Sequence, residues 1–415
     1  MDSSNNIDEG QLKISVTTDG GFTPVPNVRL EIANTGEPNQ TLEVLETNES
    51  GDSDTINLMA PPLEFSMEPS DNQPYSEYNI KLSAPGYDDE IISGVQIMSG
   101  ETAIQNVRMR RLPESGSLYN PIVIGGHTLW EYYPPKIAEA EIKPLNETGE
   151  IVLRRVVVPE TIVVHDGVPT DSTAKDYYVP YIDYIKNVAC CEIYSTWPAT
   201  TIRANVLAIM SFTLNRVYTE WYRNKGYNFT ITSSTAYDHK WIYGQTIFDS
   251  ISQEVDALYN SYLSRPNVKQ PILTQYCDGN RVTCPNWMSQ WGSKYLGDDG
   301  FSTSEILRYY YGNDIYINTA EVVSGIPASY PGYDLTIGSS GEAVLQIQEQ
   351  LRRIRQNSPA IPSLAADGIY GNQTAAAVRS FQEIFNLPVS GIVDFPTWYK
   401  ISQIYVGVSK IAENV

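Results

Sequence analysis

One carboxylate stands at a junction near the middle of the 415-residue chain. Glu192 follows the run Tyr184-Ile-Lys-Asn-Val-Ala-Cys-Cys and precedes Ile-Tyr-Ser-Thr-Trp197-Pro198. A carboxyl group beside an apolar run is partly removed from water, and desolvation suits it for general-acid catalysis. Acidic side chains also occur in the first turn of helices, where they interact favourably with the helix dipole. Spacing alone favours this structural role for Glu192, so two interpretations stay open.

The cysteines offer a second kind of chemistry. Cys190 and Cys191 are neighbours and are expected to pack as small buried residues, whereas Cys277 and Cys284 are seven positions apart. A structural zinc site takes four nitrogen or sulfur ligands, and this pair supplies two with no adjacent histidine. A metal, a local disulfide and two free thiols therefore all remain open, with zinc less favoured. We expect that no cofactor is required.

The elements that position these residues differ along the chain. Within residues 11–112, runs such as Val28-Arg-Leu-Glu-Ile32 alternate apolar and polar residues, which predicts strands and a small antiparallel sandwich. This part has no His or Cys and no visible chemistry. Helical spacing of apolar residues predicts helices after Pro198, from Ile247 to Leu263 and from Ser302 to Tyr311. Residues 331–410 predict a small helical module.

Charge and hydropathy exclude several classes of partner. The formal net charge is −21, and residues 1–114 carry 20 acidic against 6 basic residues. Such a balance argues against nucleic acid and against anionic membrane surfaces, which both require basic faces. No apolar run is long enough to predict a membrane span. The acidic start, Met1-Asp-Ser-Ser-Asn-Asn-Ile-Asp8, has no apolar stretch, so no signal peptide is predicted.

The C-terminal module carries spaced residues that resemble the three-helix peptidoglycan-binding domain. The shared positions are the following: Gly338-x-x-Gly341, Val344, Gln348, Leu351, Asp367-Gly-x-x-Gly371, Thr374, Phe381-Gln382, Gly391 and Thr397-Trp398. The resemblance covers about 75 residues and implies murein as the ligand. It assigns the binding module to a few residues: Asp367, Tyr370, Thr374, Phe381 and Trp398.

The central segment resembles the SpoIID/LytB family. The matching stretches are these: Tyr184-Ile-x-x-Val-x-x-x-Glu192-x-x-x-x-Trp197-Pro198, Gln275-Tyr-Cys-Asp-Gly279, Met288-Ser-Gln-Trp-Gly-Ser293 and Gly300-Phe-Ser-x-x-Glu-Ile-Leu307. Members are lytic transglycosylases, and the resemblance implies that Glu192 is the catalytic acid. It further implies a substrate-binding set made of Tyr194, Trp197, Gln275, Asp278, Ser289, Gln290 and Trp291.

The order of the segments resembles that of clostridial spore cortex-lytic enzymes. Pro24-Val-Pro26-Asn-Val-Arg-Leu-Glu-Ile32 and Tyr78-Asn-Ile-Lys-Leu-Ser-Ala-Pro-Gly-Tyr87 look like a carboxypeptidase-regulatory or Cna-B type immunoglobulin-like domain. The resulting expectation is a multidomain α+β chain: an Ig-like β-sandwich pro-region (1–114), a mixed α+β SpoIID-like catalytic domain (115–330) and a three-helix peptidoglycan-binding domain (331–415).

That resemblance implies a zymogen located at the cortex and coat of a bacterial spore. A subtilisin-like Csp germination protease would remove the N-terminal region, and the active enzyme would then cleave cortex peptidoglycan to 1,6-anhydro-muramic products. The loops Ser115–Leu118 and Pro144–Glu150 are both plausible cleavage sites. A catalytically inactive spore structural or peptidoglycan-binding protein and a hydrolytic muramidase are the alternatives. A zinc amidase is disfavoured because the His/Glu/His ligand set is lacking.

Overall fold

The computed structural model describes residues 8–18, 21–112, 121–126, 129, 132–143, 153, 155–320, 322–323 and 330–413. The two expected cleavage loops, 115–118 and 144–150, lie outside the described residues, as do residues 1–7 of the acidic start.

The N-terminal region is built from strands with one buried face each. Its elements in chain order are β1 (Asp8–Thr18), β2 (Arg29–Asn34), β3 (Thr41–Glu46), β4 (Ile56–Ala60), α1 (Glu64–Met67), β5 (Ser76–Ser83), β6 (Glu90–Ile97) and β7 (Thr102–Met109). Leu30 and Ile32 are fully buried while Arg29 is exposed, so the predicted alternation is confirmed. The strands form two sheets whose buried side chains belong to one hydrophobic cluster.

The central region mixes short strands and helices. Its first half contains β8 (Ile122–Val123), β9 (Val157–Val158), β10 (Thr161–His165), β11 (Asp176–Pro180), α2 (Tyr181–Glu192), α3 (Ala199–Tyr218) and β12 (Ile231–Thr232). Its second half contains β13 (Ile247–Phe248), α4 (Asp249–Leu258), β14 (Ser261–Ser264), β15 (Tyr276–Cys277), β16 (Met288–Ser289), α5 (Gln290–Asp298), α6 (Thr303–Tyr311), β17 (Tyr316–Thr319) and β18 (Val322–Val323). The predicted mixture of α and β structure is confirmed.

The helix predictions for this region are correct in two places and wrong in one. Helix α3 begins directly after Pro198 and is buried along most of its length, and α6 matches the third prediction. The expected helix from Ile247 to Leu263 is shorter, because Ile247–Phe248 pairs with β7 and Ser261–Ser264 pairs with β17. Strand pairing with distant residues therefore overrides local helical spacing at both ends.

The N-terminal and central regions interlock. Strand β8 extends one N-terminal sheet by pairing with β6, and β13 extends the other by pairing with β7. Hydrogen bonds reinforce this junction, including Gln105 Nε2 to Gly244 O at 3.0 Å and Thr246 Oγ1 to Gln105 Oε1 at 2.9 Å. The division at residue 114 stays a prediction about chain organisation, since both sheets include strands from the central region.

The C-terminal module contains α7 (Glu342–Ile354), α8 (Asn372–Ile384) and α9 (Phe395–Glu413). The predicted apolar face of α7 is confirmed: Val344, Ile347, Leu351 and Ile354 are fully buried. Two glutamines hold the turns between the helices. Gln348 bonds to Asp367, Gly368, Ile369 and Thr374. Gln382 makes the equivalent bonds to Ser390, Gly391, Ile392 and Thr397.

The residues that the sequence assigned to the peptidoglycan-binding module are mostly interior. Tyr370, Thr374, Phe381 and Trp398 are each at most 2% exposed, so they shape the module and present no surface to a polymer. Asp367 is exposed, but its carboxylate accepts hydrogen bonds from Gln348 Nε2 and the Ile369 backbone. The four buried residues therefore belong to the core of the module, and which residues touch peptidoglycan stays a prediction.

Across the described residues, no helix combines the length and apolar character that crossing a bilayer demands.

Candidate functional site

Glu192 is the last residue of α2, which corrects the interpretation that it lies in the first turn of a helix. The carboxyl end of a helix carries partial negative charge, so a carboxylate there is unfavourable unless other donors compensate. Two donors do so. The Lys240 backbone N–H donates to Oε1 at 2.7 Å, and Gln290 Nε2 donates to Oε2 at 3.0 Å. These two donors hold the side chain of Glu192 in one orientation. They also compensate for the loss of water around a residue that is only 8% exposed.

Helix α5 places Gln290 against α2. Ser289 caps α5 by accepting a hydrogen bond from the Gly292 N–H at 2.8 Å, and Gln290 is the first helical residue. The Gln290 amide also donates to the backbone oxygen of Glu192 at 2.7 Å, which satisfies a carbonyl at the end of α2. One side chain thus fixes both the backbone and the carboxylate of the predicted acid.

A cavity of about 60 Å³ lies over the Glu192 carboxylate. Its walls include Glu192, Gln290, Tyr276 and Asp278 on one side and residues 133–136 on the other. A space of this size holds a few water molecules.

Residues 132–143, here called the cover segment, form one wall of the site and hydrogen-bond to the central region. Its backbone contacts include Ile137 N to Ala236 O at 2.8 Å and Leu273 N to Glu141 O at 2.8 Å. Gln275 binds the segment twice, accepting from Glu139 N at 2.9 Å and donating to Ile137 O at 2.7 Å. The predicted substrate residue Gln275 is thus covered by the chain itself.

Two arginines hold carboxylates of the cover segment. Arg216 donates from Nη2 and Nη1 to Glu139 at 2.6 and 3.0 Å. Arg265 donates from Nε and Nη2 to Glu141 at 2.7 and 2.8 Å. Burial raises the pKa of Glu139, but hydrogen bonds and charge from Arg216, joined by Lys143, outweigh it and lower that pKa. Paired N–H donors of this kind are among the stronger charged contacts in proteins.

Lys136 of the cover segment inserts its ammonium group into the site. Nζ donates to Asp238 O at 2.5 Å and lies 4.5 Å from the centre of the Tyr276 ring. Burial lowers the pKa of Lys136, while the charges of Glu192 and Asp238 oppose that shift. Lys136 and Glu192 therefore line the same cavity.

The predicted aromatic residues cluster together but do not line the cavity. Tyr194, Trp197 and Trp291 are each at most 4% exposed, and the Trp197 and Trp291 ring centres are 4.9 Å apart. Trp197 Nε1 donates to Ser66 O in α1 of the N-terminal region at 2.9 Å. No sugar reaches these rings in the state described, so their role as sugar platforms stays a prediction.

Asp278 and the two distant cysteines shape one loop. The Asp278 carboxylate accepts backbone N–H groups of Asn280, Arg281 and Val282 at 3.0–3.3 Å. Cys277 and Cys284 form a disulfide, which answers the alternatives left open by the sequence. Of the three alternatives for this pair, the zinc site is the one that the disulfide excludes, because bonded sulfurs offer no thiolate ligands to a metal ion. Among the described residues, no group of three or more His, Cys, Asp or Glu is arranged to hold a metal.

The same loop depends on a glycine. Gly279 has φ +76°, and a Cβ atom there would lie 1.7 Å from Ser289 Oγ. A side chain at this position would displace the cap of α5 and with it Gln290.

The other two cysteines, Cys190 and Cys191, are free and buried, which confirms the expectation that they pack as small buried residues.

Sequence reasoning missed the residues that close the site. Lys136, Glu139 and Glu141 have no periodic pattern around them, and Arg265 belongs to no quoted motif. The motif could have identified Tyr276 as a site residue, since it lies inside the stretch Gln275-Tyr-Cys-Asp that carries the resemblance. Burial and the nearby Glu192 charge raise the pKa of Tyr276 well above its usual range, so its hydroxyl stays protonated.

One comparison with known proteins identifies the C-terminal module. Residues 340–401 match the family model described as a putative peptidoglycan binding domain. The chain therefore contains a peptidoglycan-binding domain, which gives it a cell-wall-related role. No curated protein matches the chain.

Three solved structures resemble parts of the chain. The SleB N-terminal domain is 30% identical, covers 18% of this chain and 93% of its own, and has a TM-score of 0.16. The Bacillus anthracis TIE protein is 17% identical over 25% of this chain and 17% of its own, with a TM-score of 0.19. GBS52, the minor pilin of Streptococcus agalactiae, is 16% identical over 27% of this chain and 48% of its own, with a TM-score of 0.19.

Proposed function

We propose that the chain is the zymogen of a spore cortex-lytic enzyme that cleaves peptidoglycan glycan strands by lytic transglycosylation. The order of the motifs resembles that of SleC, a clostridial cortex-lytic enzyme. One observation carries the proposal: a buried carboxylate, Glu192, is oriented by Lys240 N and Gln290 Nε2 at the wall of a cavity. The peptidoglycan-binding domain at residues 340–401 would hold the polymer nearby.

The proposed reaction needs only one carboxyl group. Glu192 would protonate the glycosidic oxygen as its bond to C1 of the muramic residue breaks. The 6-hydroxyl of the same residue would then attack C1 and return its proton to Glu192. A 1,6-anhydro ring forms and no water is consumed. Positive charge develops on the sugar during this step, and fixed dipoles around the cavity would stabilise it.

The second acid of the cavity supports this mechanism over hydrolysis. Ordinary glycosidases use two carboxyl groups, one as the acid and one as the nucleophile or base. Asp278 lines the same cavity, but three backbone N–H groups of its own loop occupy its carboxylate. A carboxylate engaged in holding its loop is poorly placed to activate water. A hydrolytic muramidase is therefore the second candidate.

Latency is the other part of the proposal. The cover segment forms one wall of the cavity at Glu192, and the N-terminal region packs on Trp197 through Ser66. Cleavage by a subtilisin-like Csp germination protease at the spore cortex and coat would activate the enzyme. A cut in the loop 144–150 would release the cover segment together with the N-terminal region. Structural zinc has no part in this scheme.

Product analysis tests the proposal. Cortex peptidoglycan is digested with the full chain before and after treatment with germinating-spore protease, and the fragments are searched by mass spectrometry for anhydro-muramic ends. The new N-terminus is sequenced. We expect such ends only after cleavage, and none from Glu192→Gln, which should still bind murein. Reducing ends without anhydro rings would instead identify a hydrolase. Full activity of Glu192→Gln, or no lysis by the cleaved wild-type chain, would refute the proposal.

A further inference from the structure

We infer that the groove beneath the cover segment contains two sites for carboxylates of peptidoglycan stem peptides, one at Arg216 and one at Arg265. Glu139 and Glu141 of the chain fill these sites until the segment leaves. The inference rests on the proposed function, because peptidoglycan is the polymer proposed to enter the groove.

Each arginine divides its donors between a permanent and a removable partner. Arg216 donates from Nε to Asp238 at 2.7 Å and from its two terminal nitrogens to Glu139. Arg265 donates from Nη1 to Asp314 at 2.5 Å and from Nε and Nη2 to Glu141. Asp238 and Asp314 are outside the cover segment and stay in place. When the segment leaves, each guanidinium keeps one carboxylate and presents a planar pair of donors that matches another.

With the segment in place, both guanidinium groups are largely shielded from water. The Arg216 side chain is 0% exposed and that of Arg265 is 17% exposed. Once the segment leaves, both donor pairs lose their carboxylate partners, and a ligand that supplies two carboxylates restores those contacts. Glu139 and Glu141 are two residues apart in the chain, so the two carboxylates must come from neighbouring groups of one ligand.

The groove also recognises amides. Gln275 accepts from Glu139 N and donates to Ile137 O, and Gln270 Oε1 accepts from Lys143 N at 2.7 Å. These contacts read one peptide backbone between and beside the two carboxylate sites. A stem peptide carries the same combination of backbone amides and carboxylates, whereas a bare glycan does not. This combination selects a peptide-bearing stretch of peptidoglycan as the ligand.

Lys136 connects these sites to the cavity. It lines the same cavity as Glu192, and Glu139 and Glu141 follow it by three and five residues in the segment. The two carboxylate sites therefore continue from the wall of the cavity along the path of the segment.

Binding of a defined probe tests the inference in the full chain with Glu192→Gln, which prevents turnover. The probe is a disaccharide–tetrapeptide with free carboxylates, and its partner is the same molecule with every carboxylate amidated. Protection of residues 270–276 from amide hydrogen exchange reports the groove and ignores binding at the C-terminal module. Glu139→Gln with Glu141→Gln empties the two sites, and Glu43→Gln with Glu46→Gln on exposed β3 is the charge-matched control.

We expect the free-carboxylate probe to bind at least 10-fold more tightly after Glu139→Gln with Glu141→Gln than in the control. Adding Arg265→Gln should reverse this gain for that probe and leave the amidated probe unchanged. Because Arg216 is buried, Arg216→Lys serves as the second variant, with the exchange of α3 reporting its fold. Equal binding of both probes, or no effect of either arginine variant, overturns the inference. The readout here is binding and not cleavage. Failure of the chain to cut peptidoglycan would therefore refute the proposed function without deciding whether the two carboxylate sites exist.

Discussion

The C-terminal module and the groove around Glu192 both hold their backbone with glutamine side chains, but the partners of those side chains differ in origin. Gln382 binds residues 390–397, eight to fifteen positions away in the same module. Gln275 binds Ile137 and Glu139, 138 and 136 positions away in the cover segment. The module is thus closed by its own turns, whereas the groove is closed by a segment that other regions of the chain deliver. The C-terminal module therefore needs no other part of the chain to close its turns, whereas the groove can be opened by moving the cover segment.

The largest effect should come from the residue that orients Glu192. Gln290→Leu removes the donor to Oε2 and to the Glu192 backbone oxygen, and we expect the rate of anhydro-end formation after activation to fall by about 100-fold. Gln290 is a positioning residue, so Gln290→Asn, which keeps an amide, should recover part of the rate. Gln253→Leu is the matched control, because Gln253 donates to Asp249 on an exposed helix face. Equal rates for Gln290→Leu and Gln253→Leu would remove Gln290 from the mechanism.

The next effect tests whether the module really is closed by itself. Gln382→Leu leaves the N–H groups of Ser390 and Gly391 and the Ile392 carbonyl without this partner. We expect the free energy of local opening of α8 to fall by about 3 kcal/mol, since each unpaired buried group costs roughly 1–3 kcal/mol. Hydrogen exchange of α8 in the full chain measures it.

Gln373→Leu, at an exposed position of the same helix, is the control for that measurement. The groove should be unaffected by Gln382→Leu, so unchanged exchange of residues 270–276 is part of the expected result. Loss of protection in both places would mean that the two units are coupled and that the comparison fails.

A smaller effect concerns the contact between the N-terminal region and the aromatic cluster. Trp197→Phe keeps the ring packing and removes the N–H donor to Ser66 O, so we expect a loss of about 1 kcal/mol in the free energy of unfolding. Urea denaturation followed by fluorescence measures it, with Trp287→Phe, three residues after Cys284, as the reference change. A Trp197→Phe chain as stable as this reference would show that the Ser66 contact does not hold the N-terminal region in place.

The smallest effect is a pH dependence of the cover segment. Arg216 and Lys143 lower the pKa of Glu139 below its usual 4.5 in the folded chain. A carboxylate of lowered pKa stabilises the fold above the unfolded value and loses that contribution as the pH falls through the folded one. Exchange of residues 137–143 should therefore rise below about pH 4.5, corrected for intrinsic rates. Glu139→Gln should abolish the rise, and a rise that persists in this variant would assign it to another group.

Local patterns in the sequence predicted the regular elements well. Alternation around Leu30 and Ile32 identified a strand, Pro198 marked the start of α3, and the spacing of Val344, Ile347 and Leu351 defined α7. These signals work because one face of each element must be buried. The end of the helix after Leu258 was predicted incorrectly because Ser261–Ser264 pairs with β17, far along the chain.

The candidate site divides in the same way. Motif resemblance brought together Glu192, Gln290 and Asp278, which all line one cavity. It also selected Tyr370, Phe381 and Trp398 as binding residues, although they are core residues of the module. Motif positions record what a fold needs as well as what a ligand touches, and burial separates the two only once the structure is known.

The sequence by itself determined the elements, the acidic N-terminal region and the identity of the candidate acid. Only the tertiary structure decided that Glu192 ends a helix, that Cys277 and Cys284 form a disulfide and that residues 132–143 cover the site. The reason is the range of the contacts. Arg216 hydrogen-bonds to Glu139, 77 positions away in sequence, and Arg265 hydrogen-bonds to Glu141, 124 positions away. A segment without regular secondary structure has no periodicity of its own, so its place is decided by the charges and amides that it meets in the folded chain.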